Sequence, residues 1–410
     1  MDALRILADD LTGACDVGAE LLLGPGGVVV QPGPEARITR LRPGVLCVRN
    51  TQSRTLAPSD AGGRVTAALS DVGPGWAGLV LKKIDTGLRG PLGAEIDAAM
   101  DALGLDEAFV LPAIPEIGRT TQQGRQMIGG VPVHETAFAR DPHHPIRDAS
   151  VSAALQATSR RAAAVLDLSA IRADLATAIA RERDAGAAMF VCDAETDADL
   201  ERAVRALLLR RRPLLLVGST GLARALRRVL GTEQPMSRFP MTTPPAVAGA
   251  GVLVVLGSAH PTARGQLDRA TARGLTRAIE VADPTGAEAA GAAAARVLRA
   301  GGVATLAPPL APAPDGSAAV LTALRRAALT ALARARPSGL LLVGGETAYH
   351  VLEGLGLPGL SLDARLAPLV VRARLMSGAY AGLTVVTKGG STGAPDLLTH
   401  VVRQLARGTV

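Results

Sequence analysis

Leu79-Val80-Leu81-Lys82-Lys83-Ile84-Asp85-Thr86-Gly87-Leu88-Arg89-Gly90 sets the pattern for the whole chain. Its first half, Leu79 to Ile84, is an apolar run that reads as a buried strand, and its second half is a polar, glycine-bearing turn. Runs of the same kind recur at Arg5 to Ala8, Val28 to Gln31, Val45 to Val48, Ala108 to Leu111, Ala163 to Leu168, Ala188 to Val191 and Leu214 to Val217, separated by longer Ala/Leu/Arg segments. Short strands alternating with helical segments predict βαβ units and a mostly parallel sheet. Between Gly231 and Gly251, Pro235, Pro240, Pro244 and Pro245 interrupt helix and strand alike. Beyond them the pattern restarts at Val252 to Leu256, Arg277 to Val281, Val303 to Leu306, Leu340 to Val343 and Leu383 to Thr387. The expectation is an α/β fold of two domains, each a mostly parallel sheet with flanking helices: residues 1–235, a linker over 236–250, and residues 251–410.

Composition agrees with this and narrows the function classes. A chain of 410 residues fits two α/β domains, each able to bury a substantial core. Aromatic residues make up only 2%, so base-stacking platforms for nucleic acid are hard to build and packing rests on Ala, Leu and Val. The net charge of +7 comes from arginines spread along helical segments such as 202–212, which suits an anionic small substrate as well as any polyanion. Three cysteines, Cys15, Cys47 and Cys192, form neither an even-numbered framework nor a metal-ligand spacing, which indicates a reducing compartment. No signal peptide opens the chain, and charges or Gly/Pro interrupt every apolar run before it reaches membrane-spanning length, so a cytoplasmic protein is expected. Lysine occurs only at Lys82, Lys83 and Lys388, against 41 arginines, and the sole asparagine is Asn50. All four sit at strand ends, where a compact ammonium suits phosphate contact or proton chemistry.

In open α/β sheets, ligands sit beyond the carboxyl ends of the strands. Six such exits carry polar groups. Asp9-Asp10-Leu11-Thr12-Gly13-Ala14 places two carboxylates where a helix begins, so one is able to take a substrate hydroxyl while the other caps the helix or holds a metal through water. Asn50 to Arg54 is polar throughout, and Arg54 can grip a carboxylate bidentately. Lys82 to Gly90 carries Asp85 and Arg89 four apart, within reach of each other on a helical turn. The other three exits, Gly257-Ser258-Ala259-His260, Gly344-Gly345-Glu346-Thr347 and Lys388 to Gly393, lie in the second domain. Glycine turns before helix N-termini offer backbone N–H groups to phosphate oxygens, and three in one domain read as a nucleotide site. No Walker or Gly-x-Gly-x-x-Gly pattern is present. Residues 112–150 are polar and loop-like, which is usual of a functional segment.

Two other patterns are weaker. Gly389-Gly390-Ser391-Thr392-Gly393 matches a hydrolase nucleophile elbow followed by Asp396 and His400, but those two lie four apart on one predicted helix, whereas a triad histidine returns from a separate loop. His134, Glu135, Asp141, His143 and His144 match no zinc spacing, so no metal ligands are assigned.

With these motifs in view, the chain resembles the four-carbon acid sugar kinases from Ile6 to Leu398. The resemblance rests on Leu-Ala-Asp-Asp-Leu-Thr-Gly-Ala (7–14), Asn-Thr-Gln-Ser-Arg (50–54), Lys-Lys-Ile-Asp-Thr-Gly-Leu-Arg-Gly (82–90), Gly-Arg-Thr-Thr (118–121), Glu-Thr-Ala-Phe-Ala-Arg-Asp-Pro (135–142), Gly-Ser-Thr-Gly-Leu-Ala (218–223), Gly-Gly-Glu-Thr-Ala (344–348) and Val-Thr-Lys-Gly-Gly (386–390). It implies an N-terminal domain that holds a threonate-, erythronate- or 3-oxo-tetronate-type acid, a C-terminal domain that holds ATP, and phosphoryl transfer to the terminal hydroxyl in the cleft. Carried over by position, Asp9, Asp10, Asn50, Arg54, Lys82, Asp85 and Arg89 face the acid, with Asp10 favoured over Asp9 and Asp85 as the base. Ser258, Gly344, Gly345, Glu346, Thr347, Lys388, Gly389 and Gly390 face ATP. Two departures stand out: Gly87 lies where a second hydroxyl residue often follows, and the last turn reads Gly-Gly-Ser-Thr-Gly where Ser-Gly-Gly-Phe-Gly is more usual. The implied partners are the acid and ATP, without nucleic acid or membrane, and with room for a homodimer. The rival readings are a kinase of another small hydroxy acid, a hydrolase using Ser391, and a non-catalytic protein, either a nucleotide-gated acid binder without turnover or a basic nucleic-acid binder.

Overall fold

Continuous Val/Leu runs such as Leu214–Gly218 and Val252–Leu256 are buried along their whole length, as expected for parallel strands covered on both faces. The structure, a computed structural model, describes residues 4–22, 27–36, 41, 44–141, 144–210, 213–231, 251–309 and 317–406. The strands are β1 (Leu4–Ala8), β2 (Val28–Gln31), β3 (Leu46–Asn50), β4 (Leu79–Lys83), β5 (Ala108–Leu111), β6 (Arg119–Gln122), β7 (Arg125–Ile128), β8 (Val131–Pro132) and β9 (Ala162–Leu166). They continue with β10 (Ala187–Cys192), β11 (Leu214–Gly218), β12 (Val252–Leu256), β13 (Arg277–Glu280), β14 (Val303–Ala307), β15 (Gly339–Val343), β16 (Leu360–Ala367), β17 (Val370–Leu375) and β18 (Thr384–Lys388). The helices are α1 (Leu11–Glu20), α2 (Pro58–Ala68), α3 (Leu92–Leu103), α4 (Val151–Gln156), α5 (Leu168–Arg172), α6 (Leu175–Asp184) and α7 (Asp197–Leu208). After them come α8 (Thr220–Val229), α9 (Pro261–Ala272), α10 (Ala287–Arg299), α11 (Ser317–Arg334), α12 (Gly345–Gly354) and α13 (Leu397–Ala406).

The chain forms two units, Met1–Gly26 with Arg42–Ser237, and Gly27–Leu41 with Arg238–Val410. In the first, the strand order is β3-β1-β4-β11-β5-β10-β9 and every pairing is parallel. Helix α1 packs on α8 and α8 on α7, while α2 packs on α3 and α3 on α4. Adjacent strand residues point to opposite faces, and Lys82 reaches Glu95 of α3 while Lys83 lies beside Gly13 of α1, so the two helix layers cover opposite faces of the sheet. The layer under α2 and α3 is a core of Leu, Val, Ile and Met, from Leu7, Val80 and Ile84 to Ile96, Met100 and Leu103, each such side chain contributing about 1.5–3 kcal/mol on burial.

In the second unit the order is β13-β14-β12-β15-β18-β17-β16-β2. Strands β12 to β15 and β18 pair in parallel, and β18, β17, β16 and β2 pair antiparallel in turn. Val252, Val254 and Leu256 pack with α9 and α13, and α10, α11 and α12 form the other layer. The turn after β12 therefore leads to one face and the turn after β15 to the other, which makes the crevice between these neighbouring strands a topological switch point.

Three features depart from the sequence reading. Residues 27–36, expected in the N-terminal domain, belong to the second unit, where β2 pairs with Leu360 and Ser361 of β16. Residues 112–150 had been read as loop, yet they hold the small antiparallel sheet β6-β7-β8, whose polar, two- to four-residue strands carry no apolar period. The hairpin β16–β17 was not foreseen, because its alternating Asp and Arg residues mask the strand pattern; Asp363 there pairs with Arg372 at 2.7 Å. The proposed linker, 236–250, lies outside the described residues.

Candidate active site

The first three sequence motifs meet at the β1 exit. Asp10 caps α1: its Oδ1 accepts from Gly13 N at 3.0 Å, and its Oδ2 accepts from the Thr12 hydroxyl at 2.6 Å. The 50–54 turn wraps this exit through its backbone, with Thr51 N donating to Ala8 O at 2.8 Å and Ser53 N to Asp9 O at 3.0 Å. Arg54 then turns back on both aspartates, donating from Nε and Nη2 to Asp9 (2.8 and 3.0 Å) and from Nη2 to Asp10 (2.6 Å). Asn50 shapes the turn: its Oδ1 accepts from Gln52 N and its Nδ2 donates to Gln52 Oε1, both at 2.9 Å. Arg89 holds Asp85 bidentately, at 2.7 and 3.1 Å, and reaches Asp141 at 2.9 Å.

This packing sets the charges. Burial alone would raise Asp9, but Arg54 and then Lys82 outweigh it and hold the carboxyl below its ordinary range. Burial is likewise outweighed at Asp85, where Arg89 and Arg54 hold the carboxyl far below that range. Asp10 is the one of the three aspartates that no guanidinium grips bidentately. Two of the five described non-glycine residues with positive φ, Gln52 (47°) and Leu88 (62°), lie in these turns, the kind of backbone strain that collects at functional sites.

Lys82 does not face this cluster. Its ammonium is wholly buried, donating to Glu95 Oε2 and to Lys83 O, both at 3.1 Å, and Glu95 also accepts from the Ser53 hydroxyl. Burial pushes the Glu95 carboxyl above its ordinary range. Detaching Lys82 to meet a ligand would leave a buried carboxylate uncompensated, a cost of about 3–5 kcal/mol. Four neighbours had no assigned role: Lys83, Glu95, Arg119 and Asp141. Arg119, on β6, donates to the Thr86 hydroxyl, and the Phe138 ring lies between the Arg119 and Arg89 guanidinium groups at 5.9 and 5.1 Å. The rarity of lysine pointed to Lys83 and the quoted motifs contained Arg119 and Asp141, whereas no sequence signal marked Glu95.

In the second unit the three glycine turns also meet, at the switch point. Gly344, at φ 107°, leads into α12 with no side-chain cap, so the N–H groups of Gly345, Glu346 and Thr347 form an open helix N-terminus. A side chain at Gly257 would overlap the Thr347 hydroxyl, and one at Gly390 would overlap Ser258 Oγ. Glycine is thus required where the turns approach each other. Lys388, fully buried, donates to Gly389 O at 2.9 Å, and burial lowers its ammonium to about 8. The Gln266 carboxamide braces the last turn through Thr392 O, Gly393 O and Ala394 O at 3.2, 3.1 and 2.9 Å. Glu346 lies on the first turn of α12, 3.9 Å from His350.

The two weaker patterns do not assemble. Asp396 pairs with Arg273 at 2.9 Å and His400 is exposed on α13. His143 lies outside the described residues, Asp141 accepts from Arg89 and from His144 N, and no group of three or more potential metal ligands forms among the described residues. No described helix is long and apolar enough to cross a membrane.

Comparison with known proteins follows the same division. Residues 4–226 match the sugar-binding N-terminal domain model and residues 253–398 the nucleotide-binding C-terminal domain model. The chain is 33% identical to the D-threonate kinase of Bordetella bronchiseptica, over 98% of this chain and 97% of that one. It is 30% identical to the 3-oxo-tetronate kinase of Methylobacterium radiotolerans, over 98% and 99%. A crystal structure of a Haemophilus influenzae protein, 20% identical, shares the fold with a TM-score of 0.69 over 98% of this chain and 99% of that one. A sheet exit crowded with aspartate and arginine, an uncapped helix N-terminus beside a buried lysine, and similarity along nearly the whole length agree, and the chain belongs to the four-carbon acid sugar kinase family.

Proposed function

We propose that this chain transfers the γ-phosphoryl group of ATP to the terminal (4-) hydroxyl of a four-carbon sugar acid of the threonate, erythronate or 3-oxo-tetronate type. The observation that carries the reading is the open N-terminus of α12 among three glycine turns and next to the Lys388 turn, a setting that suits phosphate oxygens through backbone N–H groups, the helix dipole and a buried ammonium. Ser258, Gly344 to Thr347 and Lys388 to Gly390 hold ATP, and Mg²⁺ arrives with its phosphates, since such sites need only one or two protein carboxylates; Glu346 is the one on this turn. When bound there, the ion would neutralise charge on the phosphates.

The acid lies at the β1 exit. Arg89, about a quarter exposed, and Arg54 present guanidinium edges to its carboxylate, and Asn50 keeps the turn in place. Asp10 accepts the hydrogen bond of the reacting hydroxyl, because Asp9 and Asp85 are held as guanidinium-bound anions with little basicity. The hydroxyl oxygen bonds to the γ-phosphorus as the bond to the ADP oxygen breaks, and the hydroxyl proton passes late to Asp10. An ATP-consumption screen over four-carbon sugar acids tests this: turnover is expected with at least one such acid, and nucleotide binding without turnover on any would favour a non-catalytic acid-binding protein.

A further inference from the structure

We infer that Lys83, rather than Lys82, is the ammonium that contacts the acceptor hydroxyl oxygen and the phosphoryl group arriving on it. The inference rests on the kinase reading above and adds a catalytic residue to it. Strand alternation sends Lys82 into the α3 layer, where Glu95 holds it, and Lys83 to the other face, against the first turn of α1. Lys83 is buried, and the hydrogen bond of its ammonium is to a backbone carbonyl, Ile84 O, at 2.7 Å. Among the described residues no carboxylate lies within 4.0 Å of its Nζ. A lysine ammonium has three donors, and a buried one that spends a single donor on a carbonyl retains two for a ligand.

Gly13 shows how near that ammonium comes to Asp10. The position a Gly13 Cβ would occupy is 2.6 Å from Asp10 Oδ1 and 3.2 Å from Lys83 Nζ. Glycine is required here, because a Cβ would overlap Asp10 Oδ1, and its absence lets the carboxylate and the ammonium approach within the span of one hydroxyl while staying too far apart for a direct ion pair. A hydroxyl that bridges the two groups donates to Asp10 and accepts from Lys83. When its oxygen bonds to phosphorus and the ADP oxygen leaves, the hydroxyl proton goes to Asp10. Lys83 stays protonated throughout and lies against the oxygens that carry the transferred charge. A compact ammonium fits this space where the planar arginine fork, used everywhere else in the cluster, does not.

The test begins with the wild-type protein, ATP and the acid that gives turnover; absence of turnover with any four-carbon acid overturns the kinase reading and this inference with it. Given turnover, Lys83→Met should lower kcat by roughly 10²-fold or more while the KM for ATP and for the acid move by less than about threefold. Lys83→Ala should regain part of its kcat on addition of methylamine or ethylamine, a rescue that a purely structural role would not produce. Retained kcat in Lys83→Met, a loss confined to the KM for the acid, or absence of amine rescue each overturn the assignment.

Discussion

Lys388 is a residue whose charge is set by tertiary burial. Its ammonium is lowered to about 8 from an ordinary 10.5, with desolvation as the cause. Between those two values the unfolded chain binds more protons than the folded one, so stability rises with pH across that window, and below pH 8 the penalty of the buried charge is fully present. Bound phosphate would offset it. Without nucleotide, the thermal midpoint should therefore climb between pH 8 and 10 relative to that of Lys388→Met, and ATP should stabilise the wild type most below pH 8. Thermal melts of both proteins with and without ATP check this; parallel pH curves would remove Lys388 from the phosphate site. The same residue-by-residue view explains why Asp10 stays the favoured acceptor: sequence placed two adjacent carboxylates at the exit, and the bidentate grip of Arg54 on Asp9 separates them.

At the scale of elements, the decisive unit is the turn from β15 into α12. Gly344 has φ 107°, a backbone region that L side chains rarely adopt, and its Cα side faces Ser258 and Thr347. Gly344→Ala should strain this turn by about 1–3 kcal/mol and misdirect the N–H groups that follow. The KM for ATP is expected to rise at least tenfold while the KM for the acid stays near wild type; steady-state kinetics with each substrate varied in turn decides it. A matched rise for both substrates would mean general damage to the fold. The elements themselves were legible to different degrees. Parallel strands buried on both faces read as apolar runs, and the parallel strands β5 and β12, like the antiparallel β2, have the bounds expected of them. The strands β6 to β8, β16 and β17 were not legible, because short polar strands and half-buried strands with paired Asp and Arg carry no such run.

For the whole molecule, order along the chain and membership of a unit differ. Residues 27–36 precede almost all of the first unit in sequence, yet β2 adds to β16 more than 300 residues later in the chain. A fragment of residues 251–406 leaves the eight-residue strand β16 without that partner, and an unpaired strand edge invites association. Such a fragment should aggregate more and melt lower than one in which residues 27–36 are joined to it by a flexible linker. Size-exclusion chromatography and thermal melts compare the two, and equal behaviour would show β2 to be dispensable. The sequence by itself determined the α/β class, the strand exits that bear the polar groups, and the fact that Lys82 and Lys83 face opposite sides, since hydrophobic runs, glycine turns and the two-residue period of a strand are local properties. Only the tertiary structure decided which side holds which partner. Glu95 comes from a helix on one face and Gly13 from a helix on the other, and neither the burial that fixes a lysine's charge nor the close approach of Lys83 to Gly13 and Asp10 exists until those helices pack.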